Sequence, residues 1–233
     1  MICRHFEYVL KEFCNSFQPP MPRYVLGTAL CYFKRFYINN SAMDYHPKDI
    51  MLTCVYLACK VEEFNVSIGQ FVGNLKGDRE VYANTILSFE LLLMDKLHYH
   101  LTVHNPYRPL EGFFIDIKTR STAVENVERY RKGADEFLDK TLSTDACLIF
   151  APSQVALYRI FYTVGIRDIL YISETLLKGH PKDEKKKCAY QVKKLKAMVK
   201  SLEPYQKNQM GVILKKLDYC RNQENNPESE MYA

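Results

Sequence analysis

The sequence predicts an all-α fold: two tandem five-helix bundles followed by one more helix. Three observations predict it. Apolar residues recur at helical spacing along almost the whole chain. Glycine is scarce, at 9 of 233 residues, and the 10 prolines cluster between apolar stretches. Each half also holds one helix-length stretch that is short on charge, as a helix packed on all sides requires.

The first helix is read over 3–16, where Phe6, Val9, Leu10 and Phe13 share a stripe. "QPPMP" (18–22) ends it. Pro22 opens the second, with Val25, Leu26, Ala29, Leu30, Phe33 and Tyr37 inward and Asn39-Asn40 as its stop. In the third, His46 stands just outside and Pro47 suits the first helical position. Its body, from Leu52 to Cys59, is uncharged and apolar all round, and it closes on Lys60, Glu62 and Glu63. Ser67 and Gln70 form a capping-box pattern for a short fourth helix carrying Phe71, Val72 and Leu75. Gly77-Asp78 turns the chain into a leucine-rich fifth helix over 80–97.

Leu97, Tyr99, Leu101 and Val103 then alternate with His98, His100, Thr102 and His104. No partner strand is in sight, so the stretch reads as an extended linker with its apolar side on the core, closed by "NPYRP" (105–109). The second half repeats the scheme with helices over 110–119, 125–142, 153–164, 167–178 and 186–202, and a last helix over 205–221. The domain reading is a first bundle with linker at 1–104, a second at 105–203, the last helix within 204–222, and a polar, disordered tail at 223–233.

Composition narrows the function classes. The 32 basic and 27 acidic residues leave a net charge of +5, which permits an anionic partner without demanding one. The 8 cysteines form no C-x-x-C pair, and no secretory leader pattern opens the chain, so a reducing compartment is expected. No apolar run reaches the length of a membrane span. Neither a glycine-rich phosphate loop nor a nucleophile elbow occurs, which leaves catalysis and a cofactor without support. His98, His100 and His104 read as solvated linker residues rather than metal ligands.

"MLTCVYLACKVEE", "FELLLMDKLHYHLTVHNPYRP" and "TALCYFKRFYINNS" resemble the third helix, the fifth helix with linker, and the second helix of a cyclin box. The chain is identified on them as a member of the cyclin family. "FVGNL" and "HNPYRPLEGFFIDIKTR" resemble the branch that regulates the CDK-activating kinase of transcription factor TFIIH. The resemblance implies two cyclin boxes and a non-catalytic, nuclear subunit that activates a cyclin-dependent kinase. It also implies an assembly factor of the same complex as a partner. Lys60 and Glu90 align with the pair that grips the kinase αC region. Tyr99 and Leu101 of the linker align with further family contacts to the kinase, and Glu63 is expected to reach its activation-loop side.

Two departures stand out. Members of that branch carry a helix and linker before the first box, and here the box begins almost at Met1. Many cyclins also pair an aspartate of helix 2 with an arginine of helix 1, but this chain has Lys34 at the aspartate position, which puts that internal pair in question. Two alternative readings remain: a cyclin-fold nucleic-acid-binding factor of the TFIIB type, and a cyclin C-like subunit of the Mediator kinase. Lys185, Lys186, Lys187, Lys193 and Lys194 form a candidate basic patch for nuclear targeting or an acidic partner. Direct nucleic-acid contact is not expected of it, because arginine is rare there and no aromatic ladder is interleaved.

Overall fold

The computed structural model describes residues 1–120, 127–163, 179, 181–202, 210–226 and 229–231. Every regular element among them is helical. They divide into two compact units: Met1–Val103 with Pro204–Ala233, and His104–Glu203.

The first unit is built around α3 (Pro47–Val61), against which α1 (Ile2–Ser16), α2 (Arg23–Asn39) and α5 (Arg79–Lys96) pack. α3 is buried on every side from Ile50 to Cys59, as its uncharged sequence requires. Pro47 holds its first position, and His46 Nδ1 accepts a hydrogen bond from Lys48 N at 3.2 Å. The short α4 (Ile68–Gly73) starts with the expected capping box, Ser67 with Gln70. Phe71 of α4 sits edge-on among Phe13 and Tyr56, at centroid distances of 5.5 and 5.3 Å. Cys14, Cys31, Cys54 and Cys59 are buried, and burial pushes the Cys59 thiol up to about 12, so these act as small apolar groups.

An ion pair joins α1 to α2. Lys34 Nζ lies 2.7 Å from Glu7 Oε2, with side-chain exposures of 3% and 12%. The internal pair in question at Lys34 is therefore present with its polarity reversed: the base comes from helix 2 and the acid from helix 1.

In the second unit α9 (Pro152–Thr163) is central, with residues 155–160 all buried. Around it lie α6 (Tyr107–Arg120), α7 (Arg131–Leu142), the single-turn α8 (Ala146–Ile149) and α10 (Lys182–Lys200). α6 begins inside the expected "NPYRP" stop, because Pro109 falls in its first turn, where no intrahelical N–H is needed. The helix read over 125–142 is a 3-10 turn at Val127–Tyr130 followed by α7. α10 starts at Lys182, four residues before the expected 186, behind Pro181 and with Asp183 and Glu184 in its first turn. The helix read over 167–178 lies outside the described residues.

α11 (Met210–Cys220) packs against α1 and so belongs to the first unit. Its exit is tied there too. Arg221 Nη2 reaches Asp49 Oδ2 at 3.4 Å, Asn222 N donates to Met43 O at 2.9 Å, and Asn222 Nδ2 to Asp44 Oδ1 at 3.2 Å. The expectation of a disordered tail from 223 needs correction at its start. Gln223–Asn225 form a 3-10 turn capped by the Asn222 side chain, because Asn222 is fixed in place by its bonds to Met43 O and Asp44.

Candidate functional site

α3 and α5 end in the same way. Phe64 N donates to Cys59 O at 2.9 Å and Glu63 N to Lys60 O at 3.3 Å, with Glu63 at φ 58°. Tyr99 N donates to Met94 O at 2.9 Å and His98 N to Asp95 O at 2.8 Å, with His98 at φ 52°. Both are Schellman caps whose left-handed residue is not glycine, and a side chain there costs about 1 kcal/mol. Exchanging Glu63→Gly should therefore raise the stability of the free chain by about 0.5–1 kcal/mol in thermal melts. A lowered melting temperature would mean that the Glu63 side chain holds the cap together.

The caps decide where the polar end of α3 points. Lys60 Nζ donates to both oxygens of Glu90, at 2.7 and 2.8 Å, and lies 4.7 Å above the Tyr56 ring. Glu62 turns inward and accepts from Thr28 Oγ1 on α2. Glu63 is exposed. A buried rod thus ends in three charged residues with three different placements: one clamped to α5, one tied to α2, one left in water.

The Lys60–Glu90 pair sits at the surface, with side-chain exposures of 46% and 15%. An ammonium carries three donors. Two go to Glu90, and the third remains beside carboxylate oxygens that have further lone pairs. The pair thus presents a donor and an acceptor side by side, each already neutralised by the other. Sequence reasoning matched both residues to a grip on another chain but did not foresee their mutual bond, which spans 30 positions.

Leu87 and Leu91 lie beside Glu90 on α5 and are 47% and 63% exposed. They were missed, although the signal was there. α5 carries more leucines than one buried stripe can hold: Ile86, Phe89 and Leu93 are buried, and Leu87 and Leu91 are left among exposed polar residues such as Asn84, Ser88 and Asp95. Large apolar side chains exposed side by side beside a charged pair mark a surface for a partner.

The linker differs from its expected course. Leu97 is buried, but Tyr99 is 59% exposed instead of facing the core. Successive left-handed residues, His98 and Tyr99 at φ 52° and 57°, break the two-residue alternation on which the inward reading rested. Leu101 is half-buried. Its carbonyl accepts from the Tyr32 hydroxyl, while Arg35 Nη1 donates to His100 O at 3.2 Å. Burial first, then the nearby Glu62 carboxylate, pushes the Tyr32 phenol well above its ordinary range, so it stays a donor. Glu63, Tyr99 and Leu101 accordingly belong to the same unit as the pair, without bonding to it.

Lys186, Lys187, Lys193 and Lys194 are exposed on α10 of the second unit, and the Lys185 side chain lies outside those described. Among the described residues no three His, Cys, Asp or Glu side chains converge as a metal site, and no helix is long and apolar enough to cross a membrane.

Comparison with known proteins bears on this surface. Residues 7–102 match the family described as the cyclin N-terminal domain, and residues 105–203 that described as the cyclin C-terminal domain. Over 229 residues the chain is 49% identical to Cyclin-H of Xenopus laevis, covering 96% of this chain and 71% of that protein. It is 32% identical over 223 residues to Cyclin-H1-1 of Arabidopsis thaliana, covering 92% of this chain and 65% of that protein. A chain of the CAK complex from Chaetomium thermophilum bound to ATP-γ-S superposes with a TM-score of 0.81 at 26% identity, over 96% of this chain and 73% of that one. A chain of the yeast TFIIK (Kin28/Ccl1/Tfb3) complex gives 0.67 at 25%, over 85% and 83%.

Proposed function

The chain belongs to the cyclin family, with the cyclin-H members among its relatives, and on that premise we propose that it is the regulatory subunit of a CDK-activating-type kinase. The observation that carries the reading is the neutralised Lys60–Glu90 pair flanked by uncovered Leu87 and Leu91. A protein kinase needs its β3 lysine paired with a glutamate on αC before it can transfer phosphate. A rigid surface that binds only the αC-in arrangement shifts the kinase population towards it. Lys60 supplies a donor for carbonyls at the end of αC, and Glu90 an acceptor for its N–H groups. The two leucines supply apolar contact, and Glu63, Tyr99 and Leu101 extend the contact on the linker side.

The chain itself performs no chemistry on this reading and holds no cofactor. A kinase subunit and an assembly factor are its partners in a nuclear, TFIIH-linked complex. The comparisons favour this over the TFIIB-type and cyclin C-like alternatives, because cyclin-H proteins and CAK and TFIIK complexes are what the chain resembles over most of its length. The test is to mix the full chain with a recombinant CDK-activating-type kinase and follow phosphate transfer to a peptide. The chain alone should be inactive, and titrating it should raise the kinase rate to a plateau. Phosphate transfer by the chain alone, or no activation at any concentration, would overturn the reading.

A further inference from the structure

Positive charge is distributed unevenly along the chain. α10 carries eight lysines against Asp183 and Glu184, a net +6 in a chain of net +5, so all the other residues together carry −1. One side of the helix is committed to the second unit: Leu195 is buried, and Val192, Met198 and Val199 pack partly buried beside it. The other side carries Lys186, Tyr190, Lys193, Ala197 and Lys200, all exposed. Their spacing alternates four and three residues, the repeat by which one helix seats along another. Tyr190 is 68% exposed, with Lys186, Lys187, Lys193 and Lys194 one turn before and after it.

A merely solvated helix face mixes both signs and keeps aromatic rings out of water. Here Glu184 is the last acid of the helix. Like charges three and four residues apart cost the free helix a few tenths of a kcal/mol each. We propose that this lysine–tyrosine seam docks an acidic amphipathic helix of a partner protein. Carboxylates one heptad apart would face Lys186, Lys193 and Lys200, and an apolar side chain would pack on Tyr190 and Ala197. The seam lysines recur every seven residues, about 10 Å of helix rise, which matches the heptad step of a second helix. The helix has no arginine for forked phosphate contacts and a lone aromatic where single-strand binding uses several.

The test uses the full chain and three probes: a helical peptide of about three heptads with glutamate at one seam position and leucine at the other, its glutamine counterpart, and a short DNA duplex. The glutamate peptide should bind saturably and more weakly as salt rises, and the glutamine peptide should not bind. The seam variant Lys186→Gln/Lys193→Gln/Lys200→Gln should lose about tenfold or more in affinity, and Tyr190→Ala about threefold. The variant Lys187→Gln/Lys194→Gln/Lys196→Gln removes the same charge from the flanks and should lose much less. Circular dichroism of each variant confirms that the helix persists. Equal losses from the two triple variants would show a response to charge alone. Tighter binding to the duplex through the seam would show a phosphate surface. Either result, or no saturable binding at low salt, overturns the proposal.

Discussion

Replacing Lys34 by alanine is expected to destabilise the first unit by about 3–5 kcal/mol, the cost of breaking a buried pair by removing one partner. Lys34 and Glu7 lie 2.7 Å apart, with side-chain exposures of only 3% and 12%. Removing the ammonium takes away the cation that faces the Glu7 carboxylate between α1 and α2, with little water to replace it. Glu7→Ala should cost a similar amount, because it removes the carboxylate that faces a buried ammonium. In a thermal melt this corresponds to a fall of roughly 10–20 °C. The double change Glu7→Leu/Lys34→Met should recover most of the loss, since apolar replacement of both partners is often neutral. If either single variant melted with the parent chain, the pair would be an ordinary surface contact, and its polarity would carry no stability.

Lys60→Ala and Glu90→Ala should act on a different quantity. Truncating a charged partner in a buried interface costs about 2–5 kcal/mol, or roughly thirty- to several-thousand-fold in kinase dissociation constant. Stability should fall by about 1 kcal/mol, less than at Lys34, because the Lys60 side chain is nearly half exposed and water can replace much of the contact. The bond between the two residues makes the double variant less than additive. It also permits a sharper test. Lys60→Glu with Glu90→Lys restores the intrachain salt bridge but exchanges donor and acceptor. A structural role predicts that the exchange rescues binding, whereas a grip on αC predicts that it does not. Rescue to the parent affinity, or single variants that lower melting and leave affinity untouched, would remove Lys60 and Glu90 from the kinase interface.

What could be read from the sequence follows the range of the interactions involved. The burial of α3 was legible because composition alone sets it, and the cap of α4 because Ser67 and Gln70 are three residues apart. The Schellman ends of α3 and α5 were hidden because Glu63 and His98 stand where glycine is the usual sign. The first turn of α10 looked like a loop because its lysines and acids carry no apolar stripe. The ion pairs Lys34–Glu7 and Lys60–Glu90 join residues 27 and 30 positions apart, and no local pattern reports them. The exposed face of α5 lay between these cases: its leucines were visible, but that only one side is covered depends on the tertiary packing.

The placement of α11 has a consequence for how the polypeptide is made. Arg221 and Asp49 meet across 172 positions, with the whole second unit between them in the chain. As the nascent chain leaves the ribosome, α1 to α5 emerge well before the helix that covers part of α1. At roughly 5–20 residues per second, that interval lasts about 6–25 seconds. During it the α1 surface is open to chaperones, or to the matching helix of a neighbouring nascent chain. The first unit closes only after the second has been synthesised, so its completion reports that translation has run past Arg221.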